Sequence, residues 1–129
     1  MSIIKAETLN SRIYAGGAHG NKSMAFGRAV LKSANVNDVV EMLEVSIGIK
    51  VVGVKLATES GLGAGAKVTI KCGDKELTTA IDMASAGATA SIACVPFNIS
   101  EKTKLTATIS GATATGDIHV MPEYVAEGY

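Results

Sequence analysis

The sequence predicts an all-β protein: a jelly-roll-like β-sandwich or a small barrel of about seven or eight short antiparallel strands, with an extended N-terminal arm. The apolar residues are mainly Ala, Val and Ile, and Thr and Gly are abundant, which suits pleated strands joined by tight turns. Apolar and polar residues alternate with a period of two in several stretches. Gly-rich and polar turn signals separate these stretches at short intervals.

The first 22 residues differ in pattern from the rest. The segment Ala15–Asn21 contains three glycines and no hydrophobic period. We therefore divide the chain of 129 residues into an N-terminal arm or loop at 1–22 and a β-sandwich domain at 23–129.

The first predicted strands lie between Met24 and Leu56. Met24–Leu31 forms one candidate strand, and Asp38–Leu56 is the most apolar stretch of the chain. The alternation within this stretch slips by one residue at Val51–Val52. A slip of one residue transfers the buried set to the other face, so it predicts a bulge or a break between two strands.

The middle of the chain predicts a hairpin between two loops. Ser60–Gly65 is a loop, and Val68–Cys72 alternates as a half-buried strand. Gly73–Glu76 is a polar turn, after which Leu77–Met83 returns as the hairpin partner. Ala84–Ala88 is a further loop.

The last third predicts three strands. Thr89–Val95 is a short strand that ends at Pro96, and Leu105–Ile109 alternates with threonines. Gly111–Gly116 is a loop or hairpin tip. The final strand begins at Ile118, and Pro122 ends it or restricts it to a sheet edge because proline cannot donate to the ladder.

Composition argues against nucleic acid and membranes as partners. Lys plus Arg equals Asp plus Glu at 12 each, whereas phosphate binding needs a cationic excess. Aromatic residues make up 4%, with no Trp, which is poor material for base stacking. No apolar run approaches the ~20 residues of a membrane-spanning helix, and the start of the chain shows no signal-peptide pattern.

Catalytic, cofactor and metal motifs are not found in the sequence, so we predict no enzyme activity, no cofactor and no metal. Gly61–Gly65 departs from a dinucleotide-binding turn because a strand pattern follows it. The two His and two Cys residues lack ligand spacing, and no Gly-x-Ser-x-Gly elbow occurs. Asp117 and His119 share a strand face, and we interpret them as a surface ion pair. Cys72 and Cys94 are expected to be reduced, buried small hydrophobes, and a disulfide between them stays open.

The second half resembles a known class of proteins. The segments that carry the resemblance are Thr58–Ala66, Val68–Ile70, Gly73–Asp74, Thr106–Gly116 and Val120–Val125. Their cadence and loop composition are similar to those of the small β-rich proteins that decorate or cement the capsids of tailed bacteriophages. The resemblance covers about residues 36–125.

This resemblance implies a structural virion protein on the capsid surface, made in the host cytoplasm. Its partners would be the major capsid protein and further copies of itself, as a dimer or trimer. A tail-tube, tail-tip or host-surface-binding module is the alternative, and a small carbohydrate-binding domain is a third.

The arm supplies the predicted contacts with those partners. Residues 1–32 carry five basic residues against one acidic residue, whereas residues 117–129 carry three acidic and no basic residues. Such asymmetry suits an arm that reaches an acidic neighbour, although ordinary solvated termini would show it as well. The predicted partner-contact residues are Ile3, Ile4, Lys5, Arg12, Ile13, Tyr14, Lys22 and Arg28.

Overall fold

The computed structural model of the chain describes residues 2–6, 9 and 22–126. These residues form eleven strands and no helix, so the all-β prediction is confirmed. The strands are β1 (Ile3–Lys5), β2 (Lys22–Met24), β3 (Gly27–Ala34), β4 (Val39–Val45), β5 (Ile49–Ala57), β6 (Lys67–Cys72), β7 (Lys75–Glu76), β8 (Ile81–Asp82), β9 (Thr89–Asn98), β10 (Thr103–Ser110) and β11 (Ala114–Ala126).

The strands form two sheets that pack face to face. Sheet A has the order β1-β4-β10-β6-β7, with β8 also paired to β6. Sheet B has the order β2-β11-β5-β9, with β3 also paired to β11. From β3 to β6 each strand lies in the sheet opposite to that of the strand before it. This alternation produces the double Greek-key order of a jelly roll. The predicted sandwich is therefore confirmed, and the small-barrel alternative is not adopted.

The core lies between the sheets and follows from the period-two alternation. Leu105, Ala107 and Ile109 of β10 are fully buried, while the threonines between them lie on the outer face. On the neighbouring strand β6, Val68 and Ile70 are buried in the same way. Burial of one face per strand is the expected consequence of the alternating sequence.

The apolar stretch 38–56 divides earlier than its pattern predicts. A turn at residues 46–48 separates β4 from β5, and Ile47, which alternates in phase with the buried residues, is 43% exposed. The predicted phase slip is confirmed as a bulge, because the register between β5 and β9 shifts between Val51 and Gly53. Alternation alone cannot distinguish a strand from a turn that keeps the same phase.

The prediction that Pro122 ends the last strand or lies at an edge is wrong. β11 continues to Ala126 in the middle of sheet B, with β5 on one side and β2 and β3 on the other. Pro122 accepts a hydrogen bond from the N–H of Ala25 at 3.1 Å but offers no donor in return. The strand opposite is interrupted at this point, between β2 and β3, so the predicted continuous strand Met24–Leu31 is divided at Ala25–Phe26.

Two further predicted boundaries shift. Strand β9 continues through Pro96 to Asn98, which an edge strand of a sheet tolerates. Within the predicted hairpin partner Leu77–Met83 only the short strand β8 forms, and β7 lies inside the predicted turn Gly73–Glu76. Both short strands pair with β6.

The described part of the predicted arm lies against the sandwich. β1 pairs parallel to β4, which departs from the all-antiparallel prediction, and Ala6 and Leu9 are buried. Residues 7, 8 and 10–21 lie outside the described ranges, so the boundary between arm and sandwich remains a prediction.

Candidate interaction surface

An exposed apolar stripe runs along the outer face of sheet B. It consists of Met24 on β2, Phe26 in the interruption and Val30 on β3, each with about half of its surface exposed (52%, 52% and 51%). These side chains share one face with the basic residues Lys22, Arg28 and Lys32, because residues at even spacing point the same way along an extended chain. We call this alternating set the β2–β3 stripe. Exposed apolar side chains grouped on one face are typical of contact sites between proteins.

The residues between the stripe positions anchor it to the core. Ala29 and Leu31 are buried between the sheets. A Cβ at Gly27 would lie 3.2 Å from the side chain of Leu43, so β3 lies close above β4 at this edge. The stripe is therefore presented by a strand whose inner face is closely packed.

Side chains of β11 support the stripe from the side. The rings of Phe26 and His119 lie 5.3 Å apart between centroids, at 38° to each other. His119 Nε2 lies 2.8 Å from Asp117 Oδ2, and Lys22 Nζ forms an ion pair with Glu123 at 3.1 Å. The predicted pairing of Asp117 with His119 is confirmed, although both side chains are largely buried rather than on the open surface.

Asp117 is the centre of a polar cluster beside the stripe, on the strand next to Val30. Its carboxylate accepts hydrogen bonds from the Ser60 hydroxyl at 2.8 Å, from the Ser60 N–H at 3.1 Å and from the Glu59 N–H at 3.3 Å. Burial alone would raise the pKa of Asp117, but these donors and His119 hold that pKa well below its ordinary value. The carboxylate thus holds the 58–61 loop against β11.

The outer face of sheet A has the opposite character. Glu41 accepts ion pairs from Lys5 at 3.0 Å and Lys104 at 3.1 Å, and Lys102 pairs with Glu44 at 2.7 Å. The hydrogen bonds from Lys5 and Lys104 lower the pKa of Glu41. The half-buried residues Thr69, Thr106 and Thr108 of β6 and β10 also lie on this face. This face is a solvated polar surface, so the apolar contact surface of the sandwich lies on sheet B.

The predicted contact residues lie at one end of the sandwich wherever they are described. Ile3, Ile4 and Lys5 form β1 at the edge of sheet A, and Ile3 is 56% exposed. Lys22 and Arg28 lie on β2 and β3, at the edge of sheet B that lies over β4. Arg12, Ile13 and Tyr14 lie outside the described residues.

Sequence reasoning missed Met24, Phe26 and Val30. Their signal was present as the alternation of apolar and basic residues from Lys22 to Lys32. The stretch Met24–Leu31 is predicted only as a strand, because a sequence does not show which of two apolar sets faces the core.

The core is less completely covered on the opposite side of the sandwich, which carries β9. Inward-facing residues of β9, including Ile92 and Cys94, are only partly buried, and a groove of about 380 Å³ runs between Ile92 and the β7–β8 segment. Lys75 lies over the ring of Phe97, 5.4 Å from its centroid. Cys72 and Cys94 are both free, and burial raises the pKa of Cys72 to about 11, so its thiol stays protonated at neutral pH.

Two classes of site were sought within the described ranges. No group of three or more His, Cys, Asp or Glu residues there is arranged to hold a metal ion. Nor does that part of the chain contain a helix with the length and apolar character needed to cross a membrane.

Comparisons with known proteins identify the fold through solved structures. No family model and no curated protein matches the sequence. A chain in the capsid of Ralstonia phage GP4 is similar over 99% of this chain and 100% of its own, with a TM-score of 0.74 and 14% identity. A chain of the cyanophage Pam1 capsid is similar over 91% of this chain and 94% of its own, with a TM-score of 0.59 and 17% identity. A chain in the acid-stable capsid of Helicobacter pylori bacteriophage KHP30 is similar over 84% of this chain and 90% of its own, with a TM-score of 0.53 and 14% identity.

Proposed function

We propose that this chain is a structural component of a tailed-bacteriophage virion that decorates and stabilises the capsid through protein–protein contacts. The observation that supports this most strongly is the likeness over almost the full length of both chains to a chain of the Ralstonia phage GP4 capsid. The likeness therefore extends over both sheets of the sandwich. A shared fold alone does not carry function, so the surfaces of this chain supply the rest of the argument.

The β2–β3 stripe is the proposed contact with the major capsid protein. Phe26 lies near the middle of the stripe, with Met24 and Arg28 on either side. Aromatic side chains surrounded by Met and Arg are enriched at the centres of protein interfaces. Many copies of such a contact on one shell would give strong attachment even if each contact is modest. In this proposal the protein is made in the host cytoplasm and acts on the capsid surface without catalysing a reaction.

A sedimentation assay tests this proposal. The purified chain is mixed with undecorated capsids of the phage that encodes it, and the capsids are pelleted. We expect the chain to pellet with the capsids. Protein that stays entirely in the supernatant would contradict a capsid role, and rings of the isolated chain seen by negative-stain microscopy would then favour the tail-tube alternative.

The variant Phe26→Ala tests the stripe itself. Truncating a central interface aromatic commonly costs about 2 kcal/mol or more, so we expect at least a tenfold loss of affinity for capsids. Ile47→Ala is the matched control, because Ile47 is 43% exposed in the turn between β4 and β5 and is not part of the stripe. Equal affinities of the two variants would remove the stripe from the interface while leaving capsid attachment itself intact.

A further inference from the structure

The edges of the two sheets differ in their protection against pairing with another chain. β1 has three residues, and β7 and β8 have two each. The β2–β3 edge is interrupted at Ala25–Phe26 and carries Lys22, Arg28 and Lys32. Short strands, breaks and basic residues are the means by which natural sheets prevent edge-to-edge association.

β9 lacks these protections along its first half. It is ten residues long and contains no charged residue. The exposed side chains from Thr89 to Ala93 are small, and Pro96 lies beyond them, after the bulge. The segment 89–93 is therefore a flat, neutral sheet edge of the kind that pairs with another strand.

The free backbone groups of this edge can be assigned from the pairing with β5. The N–H of Thr58 donates to the carbonyl of Ala88 at 3.0 Å, and the register continues as Leu56 opposite Ala90 and Val54 opposite Ile92. In an antiparallel ladder, alternate residues bond to the same neighbour. The N–H and C=O groups of residues 89, 91 and 93 therefore point away from β5, into the space beside sheet B.

We propose that β9 pairs antiparallel with β9 of a second copy of this chain, across a two-fold axis at Ser91. In this arrangement Ser91 faces its own equivalent, and Thr89 faces Ala93 of the partner copy. The two B sheets then form one continuous sheet through both molecules. A two-fold contact brings identical surfaces together, and an edge without charge meets itself without like-charge repulsion.

A second copy fits this edge better than a charged peptide does. The segment 89–93 offers no charge that would select an acidic or a basic strand. Its small side chains leave the outer face level, so an identical strand can approach along the whole segment. The proposal depends on β9 alone and does not require the capsid role.

The oligomeric state of the purified full-length chain tests the pairing. Sedimentation equilibrium should show a dimer for the wild type and a monomer for Ser91→Lys, because the substitution places two ammonium groups opposite each other at the axis. Ala64→Lys is the matched control, since it adds the same exposed charge in the loop between β5 and β6, and it should remain dimeric. A wild-type chain that is monomeric at millimolar concentration, or a Ser91→Lys variant that is still dimeric, would overturn the proposal.

A cross-link gives an independent positive test. Residues in a hydrogen-bonded antiparallel pair have Cα atoms about 5.5 Å apart, within the range of a disulfide. Under mild oxidation Ser91→Cys should form a disulfide between identical peptides, identified by mass spectrometry without reduction, whereas Ala64→Cys should not. Absence of that linkage in a confirmed dimer would place the interface elsewhere and refute the β9 pairing.

Discussion

At the residue scale, the polar cluster around Asp117 shows how a charged side chain is used structurally. The carboxylate accepts hydrogen bonds from Glu59 and Ser60 in the 58–61 loop, and the Thr58 hydroxyl donates to the Asp117 carbonyl at 2.6 Å. Asp117 also pairs with His119 on the same strand face, as the sequence predicts. Of the donors to the Asp117 carboxylate, Glu59 and Ser60 belong to the 58–61 loop, and His119 lies two residues further along β11.

Asp117→Asn should destabilise the protein by about 1–3 kcal/mol, because the amide weakens hydrogen bonds that a charged acceptor makes stronger. The pKa of Asp117 is lowered in the folded state, so its contribution is complete above the ordinary value of 3.8 and is lost as the pH falls through the folded value. The measurement is the free energy of urea unfolding of both proteins from pH 7 to pH 3. The difference between them should shrink toward acid pH, and a difference independent of pH would refute the assigned role.

At the element scale, the loops of the sandwich depend on backbone positions that only glycine occupies easily. Gly111 joins β10 to β11 with a φ of +81°, and a Cβ there would collide with the backbone carbonyl of Gly65. Gly87, in the loop before β9, has a similar φ of +76° but nothing within 4 Å of a Cβ. A substitution at Gly87 therefore introduces only conformational strain, whereas one at Gly111 also introduces a steric clash between two loops.

Gly87→Ala should cost about 1 kcal/mol, the usual penalty of a left-handed backbone for alanine. Gly111→Ala should cost at least about 2 kcal/mol more, because two backbone segments must separate to admit the methyl group. Thermal unfolding followed by circular dichroism compares the two variants. If both lose the same stability, the loop at Gly65 does not lie against Gly111 in solution.

At the scale of the whole molecule, the sandwich has two ends with different properties. One end carries β1 and the β2–β3 stripe, where the predicted contact residues Ile3, Lys5, Lys22 and Arg28 lie. The other end carries the neutral edge of β9. We propose the first end for the capsid and the second for a further copy of the chain, so both contacts can form together.

Deletion of residues 1–12 tests whether the fold requires this part of the arm. We expect a folded all-β protein, since the strands from β2 to β11 remain, but one of lower melting temperature because β1, Ala6 and Leu9 no longer cover the edge of sheet A. Capsid affinity should fall as well if Ile3 and Lys5 contribute to the contact. Near-ultraviolet and far-ultraviolet circular dichroism monitor the fold, and complete unfolding of the truncated chain would show that these residues belong to the core.

Much of this architecture was determined by the sequence itself. Alternation predicted β6 and β10 and their buried faces, and the glycine-rich segment 60–65 predicted a loop. The loop predicted at 111–116 is confined to residues 111–113, because β11 begins at Ala114. These features depend on neighbours within a few residues, where the period of a strand and the conformational freedom of glycine decide the outcome. The bulge at Val51–Gly53 was visible as a phase slip for the same reason.

Only the tertiary structure decided which strands are central and which are edges. Pro122 is tolerated inside sheet B because the strand opposite breaks at Ala25–Phe26, and Ile47 is exposed because a turn carries it outside the core. The exposure of the stripe at Phe26 and the neutral edge of β9 follow in the same way from strand order. Strand order arises from pairing between residues that are far apart in the chain, and a local pattern of alternation is the same whichever neighbour a strand finally meets.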